Sequence, residues 1–371
     1  VAIKQKEINA PNLPMITGLT SVDGFDGGIL PLRAYSQLVS QVMADGREMT
    51  DGRLREHLDV VPEPRWLDLF NARFLITDKT EDVWQNGIYY DRQHPVVLAE
   101  GETVSVTYLP QYEATELRLL ASAQPRAVHI VTQSGDNWTL EPQLIGESTY
   151  QLLFPRPAIL AEMTIESCAQ EPGCTLEGVS LVDARDETFH SLLPGSYRLI
   201  HSGDVKIYEN NDVMDRAFMV GEWQWVPDVQ QSIDVLLDPG FDARSTAVII
   251  TDPSAPAPQS GHSSSDSQGQ AAITAYSADQ VAITTDSPAA AFLVLSDAYY
   301  PGWKAAVDDE PAPIYQANGL FRAVYVPAGE HEVVFQYEST AYRIGLIVFI
   351  FTLGIIAVVL VKIFVNSRRK L

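Results

Sequence analysis

Residues 344–361 read IGLIVFIFTLGIIAVVLV, eighteen positions without a charged side chain, and the chain continues through Lys362 into Ile363, Phe364 and Val365. A helix rises about 1.5 Å per residue, so about 20 apolar residues cross a hydrocarbon core of about 30 Å. Thr352 and Gly354 fit this reading, because a threonine hydroxyl bonds its own helix backbone and glycine is tolerated in membrane helices. A buried core helix is the plainer alternative, but such a helix is rarely apolar on every face. Arg368, Arg369 and Lys370 follow the run, whereas only Arg343 flanks its start. Cationic residues are retained on the cytoplasmic side. The pattern therefore predicts a transmembrane helix over 342–365 in the plasma membrane and a cytoplasmic basic tail over 366–371. Everything ahead of the span is placed on the exterior face, with the lipid bilayer as first partner.

Ahead of the span the period changes from helix to strand. Over 271–341 Val281/Ile283, Phe321/Ala323/Tyr325 and Val333/Phe335/Tyr337 alternate, which reads as a β meander or sandwich. AFLVLS at 291–296 is continuous enough for a central strand, and DDEP and PAGEH read as turns. The stretch 251–270, rich in Ser, Pro, Gly and Gln, is a flexible linker too poor in apolar groups to offset ordering entropy. Over 84–200 short β runs recur between turn residues: ETVSVTYL, ELRLLASA, RAVHIVTQ, YQLLFP, AEMTIESC and LEGVSLVDA. Such spacing argues for a jelly-roll or β-sandwich. Residues 1–83 read as mixed α/β, with an amphipathic helix through Leu32, Tyr35, Leu38, Val39 and Val42, and a short helix in RWLDLFNARFLITD running into a strand from Arg73 to Thr77. The strand-rich stretch 201–250 is grouped with 1–83 as one domain, the sandwich inserted between them. The fold class is thus mainly β with a smaller α/β part: jelly-roll or β-sandwich exterior domains followed by one C-terminal transmembrane helix.

Forty-eight acidic against 25 basic side chains give a net charge of −23, which excludes nucleic acid as a partner. Cys168 and Cys174, the two cysteines, sit in ESCAQEPGC, where Pro172-Gly173 offers a turn. An exterior location permits a disulfide between them, one that staples a hairpin and constrains little chain entropy. No secretory signal opens VAIKQKEINAPNLP, and an exterior region needs a way across the membrane, so the expectation is the tail end of a longer polypeptide.

Chemistry-bearing patterns are sparse. Tyr299, Tyr300 and Trp303 follow a buried strand and offer aromatic faces to the apolar side of a sugar ring; the plainer reading makes them a cap on the sandwich core. Asn318, beside Gly319, suits a left-handed turn, and Arg322 suits a pairing with a carboxylate; both are carried as ligand-binding candidates. Asp23 and Asp26 in SVDGFDGG resemble a weak Ca²⁺ loop without the bidentate Glu that an EF-hand needs. The seven histidines are scattered singly. No GxSxG, P-loop or strand-linked GxGxxG is present. The expectation is no catalytic residue, no metal and no cofactor.

The segment SDAYYPGWKAAVDDEPAPIYQANGLFRAVYVPAGEHEVVFQYES at 296–339, running into the span, resembles the C-terminal end of the YfhO-like bacterial membrane proteins, multi-pass relatives of the GT-C glycosyltransferases. NLPMITGLTSVDGFDG, LFNARFLITD and VKIYENNDVMDRAFMV look like further blocks of the same exterior region, while 84–200 is similar only to jelly rolls of the galactose-binding kind. The resemblance implies sugar transfer from a polyprenyl-phosphate donor to a cell-envelope glycan or lipid acceptor. It implies as partners the remaining transmembrane part of the same polypeptide and a glycan or polyprenyl-linked sugar. GT-C enzymes carry their catalytic acid between N-terminal membrane helices, and no residue here matches that motif. The chain reads as the exterior, non-catalytic region of such a protein. A single-span surface protein whose sandwiches bind carbohydrate or another protein stays open beside it, and an exterior hydrolase finds no constellation.

Overall fold

The computed structural model describes residues 19–22, 31–43, 54, 57–58, 61–168, 173–238, 240–252 and 269–368. The chain forms two units, 1–214 and 215–371.

In the first unit the amphipathic pattern becomes the helix Arg33–Ser40, which buries Leu38 and packs Val39 against Met43 and Leu54. Pro64, pre-set for helical φ and lacking only an N–H that the first turn does not use, opens the helix Pro64–Leu69. The strand Phe74–Thr77 follows and pairs with Lys206–Asn210, which pairs in turn with Tyr197–Ser202. Asn86 and Gly87, at φ 53° and 78°, supply the left-handed pair that a two-residue hairpin demands between Asp82–Gln85 and Ile88–Asp91.

The remaining strands build a nine-stranded sheet that folds around its own core. YQLLFP and AEMTIESC, read from sequence as two strands, are halves of one, Thr149–Glu166. Its first half pairs with Glu113–Ala121 and its second with Val128–Thr132 and Thr103–Ser105. The register breaks between Leu153 and Ala158, where Pro155 and Pro157 have no N–H to give a ladder, and again between Leu160 and Glu162. The second bulge moves the inward set from Leu152, Phe154 and Leu160 to Met163 and Ile165, so both halves face one core. Leu117, Leu119, Val179 and Leu181 fill it, each burial contributing about 1.5–3 kcal/mol. A disulfide joins Cys168 to Cys174 at the end of this long strand, with Cα atoms 5.6 Å apart. Gly173 sits at φ 118° with a Cβ position 2.1 Å from the Leu98 carbonyl, a place only glycine fits.

The second unit is a sandwich of two sheets. One orders Ala217–Val220, Ala291–Ala298, Phe321–Val326, Tyr315–Ala317, Thr246–Ile250 and Glu222–Val226; the other orders Gln270–Tyr276, Gln280–Ser287, Gly329–Tyr337, Trp303–Val307 and Glu310–Ala312. Ile283, Leu293, Leu295, Val324, Val333 and Phe335 meet between them. AFLVLS is central, buried on both faces: Phe292 points away from that core into Trp223, Trp225, Tyr315 and Tyr325, at centroid distances of 5.2 to 6.2 Å. The α/β part is the parallel pair Glu222–Val226 and Thr246–Ile250 with its helix Val229–Leu236, capped by the Asp228 side chain on the Gln231 N–H.

The stretch 201–250, grouped from sequence with 1–83, is divided. Lys206–Asn210 does pair with Phe74–Thr77, but Ala217–Val220 and Thr246–Ile250 hydrogen-bond into the second unit. Alternation marks a strand without naming its partner. Residues 253–268 of the expected linker lie outside the described residues.

After Tyr337 the chain becomes the helix Thr340–Arg368, its start capped by the Ser339 hydroxyl on the Tyr342 N–H at 3.1 Å. Thr340–Lys362, 23 residues that rise about 35 Å, contains an 18-residue window of mean hydropathy 3.1, none of it buried. Thr352 donates to the Val348 carbonyl one turn back. The protein carries one helix able to cross a bilayer among the described residues.

Candidate functional site

At the end of the buried strand Ala291–Ala298 the backbone turns sharply. The Tyr299 N–H donates to Leu320 O at 2.7 Å, fixing where the turn begins. Gly302 takes φ 104°, and a Cβ there would stand 2.9 Å from the Tyr337 ring. Its carbonyl accepts the Glu338 N–H at 2.7 Å, closing the last rung of the sheet. This turn and the strands Trp303–Val307, Glu310–Ala312 and Gly329–Tyr337 line a shallow depression of about 510 Å³, with Tyr299, Tyr300, Trp303, Lys304, Pro311 and Ile314 around it. Tyr300 is 46% exposed and lies 6.3 Å from Tyr337; Trp303 lies 5.5 Å from the same ring. The three aromatic candidates are therefore together, and Trp303 serves the core and the depression at once.

Behind Trp303 stands a charged stack. The Arg322 guanidinium, 2% exposed, lies 3.8 Å from the Trp303 ring centroid and donates to Asp297 Oδ2 at 2.6 Å. Asp297 Oδ1 accepts from Arg216 Nε at 2.9 Å and Nη2 at 2.6 Å, and Arg216 lies over the Tyr276 ring at 4.4 Å. Burial lowers the Arg322 pKa against the pull of Asp297, and burial followed by Asp297 raises that of Tyr276. Arg322 Nε and Nη1 meet no acceptor. Arg322 thus reaches the depression only through Trp303, which it fixes by a desolvated cation–π contact of about 2 kcal/mol.

Asn318 does not line the depression. It is fully buried at φ 47°, with Gly319 at 74°, in the left-handed turn its sequence suggests. Its N–H donates to Val248 O at 2.8 Å, and its Oδ1 accepts the Val248 N–H at 2.9 Å, so its amide extends the sheet. Asp23 and Asp26 lie outside the described residues. No group of His, Cys, Asp and Glu suited to a metal occurs among the described residues.

One constellation in the first unit went unread from sequence. Lys206, 1% exposed, donates to Asp91 Oδ2 at 2.7 Å, to the Tyr89 hydroxyl at 2.6 Å and to Asp82. Tyr208 also donates to Asp91 Oδ2, at 2.7 Å. His94 stacks on Tyr197 at 4.1 Å and meets Tyr208 edge-on at 4.5 Å; burial pushes its pKa down to about 4. The signal was present in VKIYEN, where Lys206 is in phase with the buried Tyr208. The network ties the Asn86-Gly87 hairpin to the strand Lys206–Asn210, and removal of the ammonium leaves a buried carboxylate unpaired at about 3–5 kcal/mol.

No curated protein matches the chain. Solved structures titled arabinofuranosyltransferase AftD from Mycobacteria are similar at low levels. One shows 12% identity over 66% of this chain and 14% of that one, with a TM-score of 0.23; another shows 14% identity over 80% and 27%, with a TM-score of 0.21. The chain thus spans 14% and 27% of those two proteins' lengths. The family model described as "Bacterial membrane protein YfhO" matches residues 262–349, which hold the aromatic turn, the Arg322 strand and the start of the apolar helix. Over those residues the chain is similar to the YfhO bacterial membrane proteins, and it carries one candidate membrane span among the described residues.

Proposed function

We propose that the chain is the exterior, non-catalytic region and last membrane helix of a multi-pass protein of the YfhO and GT-C type. In this reading it supports transfer of a sugar from a polyprenyl-phosphate donor to a cell-envelope glycan or lipid. The family match carries the reading, because it runs without a break from the C-terminal sandwich into the apolar helix. The basic residues after the span favour an exterior sandwich. The depression at Tyr299, Tyr300 and Trp303 holds a sugar ring of the acceptor, its aromatic faces against the ring's apolar side and Lys304 reaching its hydroxyls.

The test is calorimetric titration of the full chain in nanodiscs with cell-envelope oligosaccharides. Tyr300→Ala is expected to weaken binding about tenfold, about 1.4 kcal/mol. Equal affinity in the variant, or no binding by the unaltered chain, removes the sugar site. One span among the described residues also suits a single-span surface protein whose sandwiches bind carbohydrate or another protein. A series of apolar 20-residue segments encoded upstream of Val1 favours the first reading; a signal peptide there favours the second.

A further inference from the structure

We infer that the C-terminal sandwich stands end-on in the lipid headgroup layer, seated on the turn Tyr299–Trp303. The sheet's last rung joins Gly302 to Glu338, and Tyr337 donates to Asp279 O at 2.7 Å beside it. Only Ser339 separates Glu338 from Thr340, where the helix begins, and the helix leaves the sandwich at once with none of its apolar window buried. From Glu338 to Ile344, where the uncharged run opens, the chain reaches at most about 13 Å. A headgroup layer is about 5–8 Å deep on each side of the hydrocarbon. The turn Tyr299–Gly302 precedes the base end of the strand Trp303–Val307 and lies on the helix side of that rung.

The side chains at this end suit headgroups. Tyr300 and Tyr342 are 46% and 70% exposed, and tyrosine with its polar tip is enriched at membrane interfaces. Glu338 accepts from Lys304 at 2.6 Å and forms an ion pair with Arg343 at 3.3 Å, so the two long cationic stems are held beside the start of the span. The opposite end differs in kind. Strand register places Asp286, Asp308, Asp309, Glu310, Glu330 and Glu332 there, with His331 bound to Asp308. With Tyr300, Tyr342, Lys304 and Arg343 beside Glu338 and Asp279 at one end and six carboxylates with one histidine at the other, the sandwich is polarised along its strands. The partner that fits the first end is a zwitterionic phospholipid surface, from whose headgroup layer the sugar of the proposed function enters the depression, and the acidic end faces water.

The full chain is tested in phosphatidylcholine nanodiscs carrying a small fraction of a nickel-chelating lipid. Its two cysteines are bonded to each other, so one introduced cysteine takes a spin label alone. Tyr300→Cys and Asp309→Cys lie at the two ends of one strand, about 16 Å apart along it. Relaxation of the label by headgroup nickel is expected to be at least threefold stronger at 300 than at 309. Lys304→Cys against Glu330→Cys reads the same gradient should Tyr300→Cys fail to fold. Equal relaxation at both ends, strong or weak, overturns the inference.

Discussion

His94 shows how one buried side chain sets a pH limit. Its folded pKa is about 4 against an ordinary 6.5, because burial outweighs the attraction of Asp91. Protons therefore bind the unfolded chain first. The stability this neutral imidazole contributes is complete above pH 6.5 and is lost as pH falls toward 4. The loss amounts to about 3 kcal/mol. Urea unfolding of the first unit between pH 7 and 4 should show that slope, and His94→Gln should remove it. An unchanged slope in the variant assigns the effect to other groups. At this scale the sequence was least legible. Asn318 and Arg322 drew notice by residue type, yet one proves to extend a sheet and the other to brace Trp303, because neither Val248 nor Asp297 is near in sequence. Lys206 was readable only as a lysine in phase with Tyr208, and its two carboxylates come from a hairpin more than a hundred residues upstream.

Among elements, the turn before Trp303 is the most constrained. Gly302 combines φ 104° with a Cβ position 2.9 Å from Tyr337 and 3.2 Å from Glu338 O. Gly302→Ala should cost about 1–3 kcal/mol and lower the melting temperature of the second unit by several degrees. Gly329 at φ 113° is a control: its Cβ position meets nothing nearer than His331 Nε2 at 3.8 Å, so Gly329→Ala carries backbone strain without the clash. Equal losses in a calorimetric comparison would show that contact with Tyr337 does not matter. Strands and turns were legible where alternation met turn residues, as at Asn86-Gly87. The long strand Thr149–Glu166 was not, because Pro155 and Pro157 read as an end; here they mark the corner where it changes partners.

For the whole molecule the apolar run at 344–361 dominates, and the helix Thr340–Arg368 includes all of it. Its hydropathy needs no partner to be read, which is why the span and the mainly β class were legible while the grouping of 201–250 was not. That grouping depends on which sheet recruits Ala217–Val220 and Thr246–Ile250, a choice made by long-range pairing. The proposed function requires a β-built region held outside the cell by this helix. Impermeant maleimide applied to intact cells or sealed right-side-out vesicles reads the orientation directly, with the native cysteines bonded to each other. Glu330→Cys is predicted to react at once and Lys370→Cys only after permeabilisation; the reverse pattern contradicts the account.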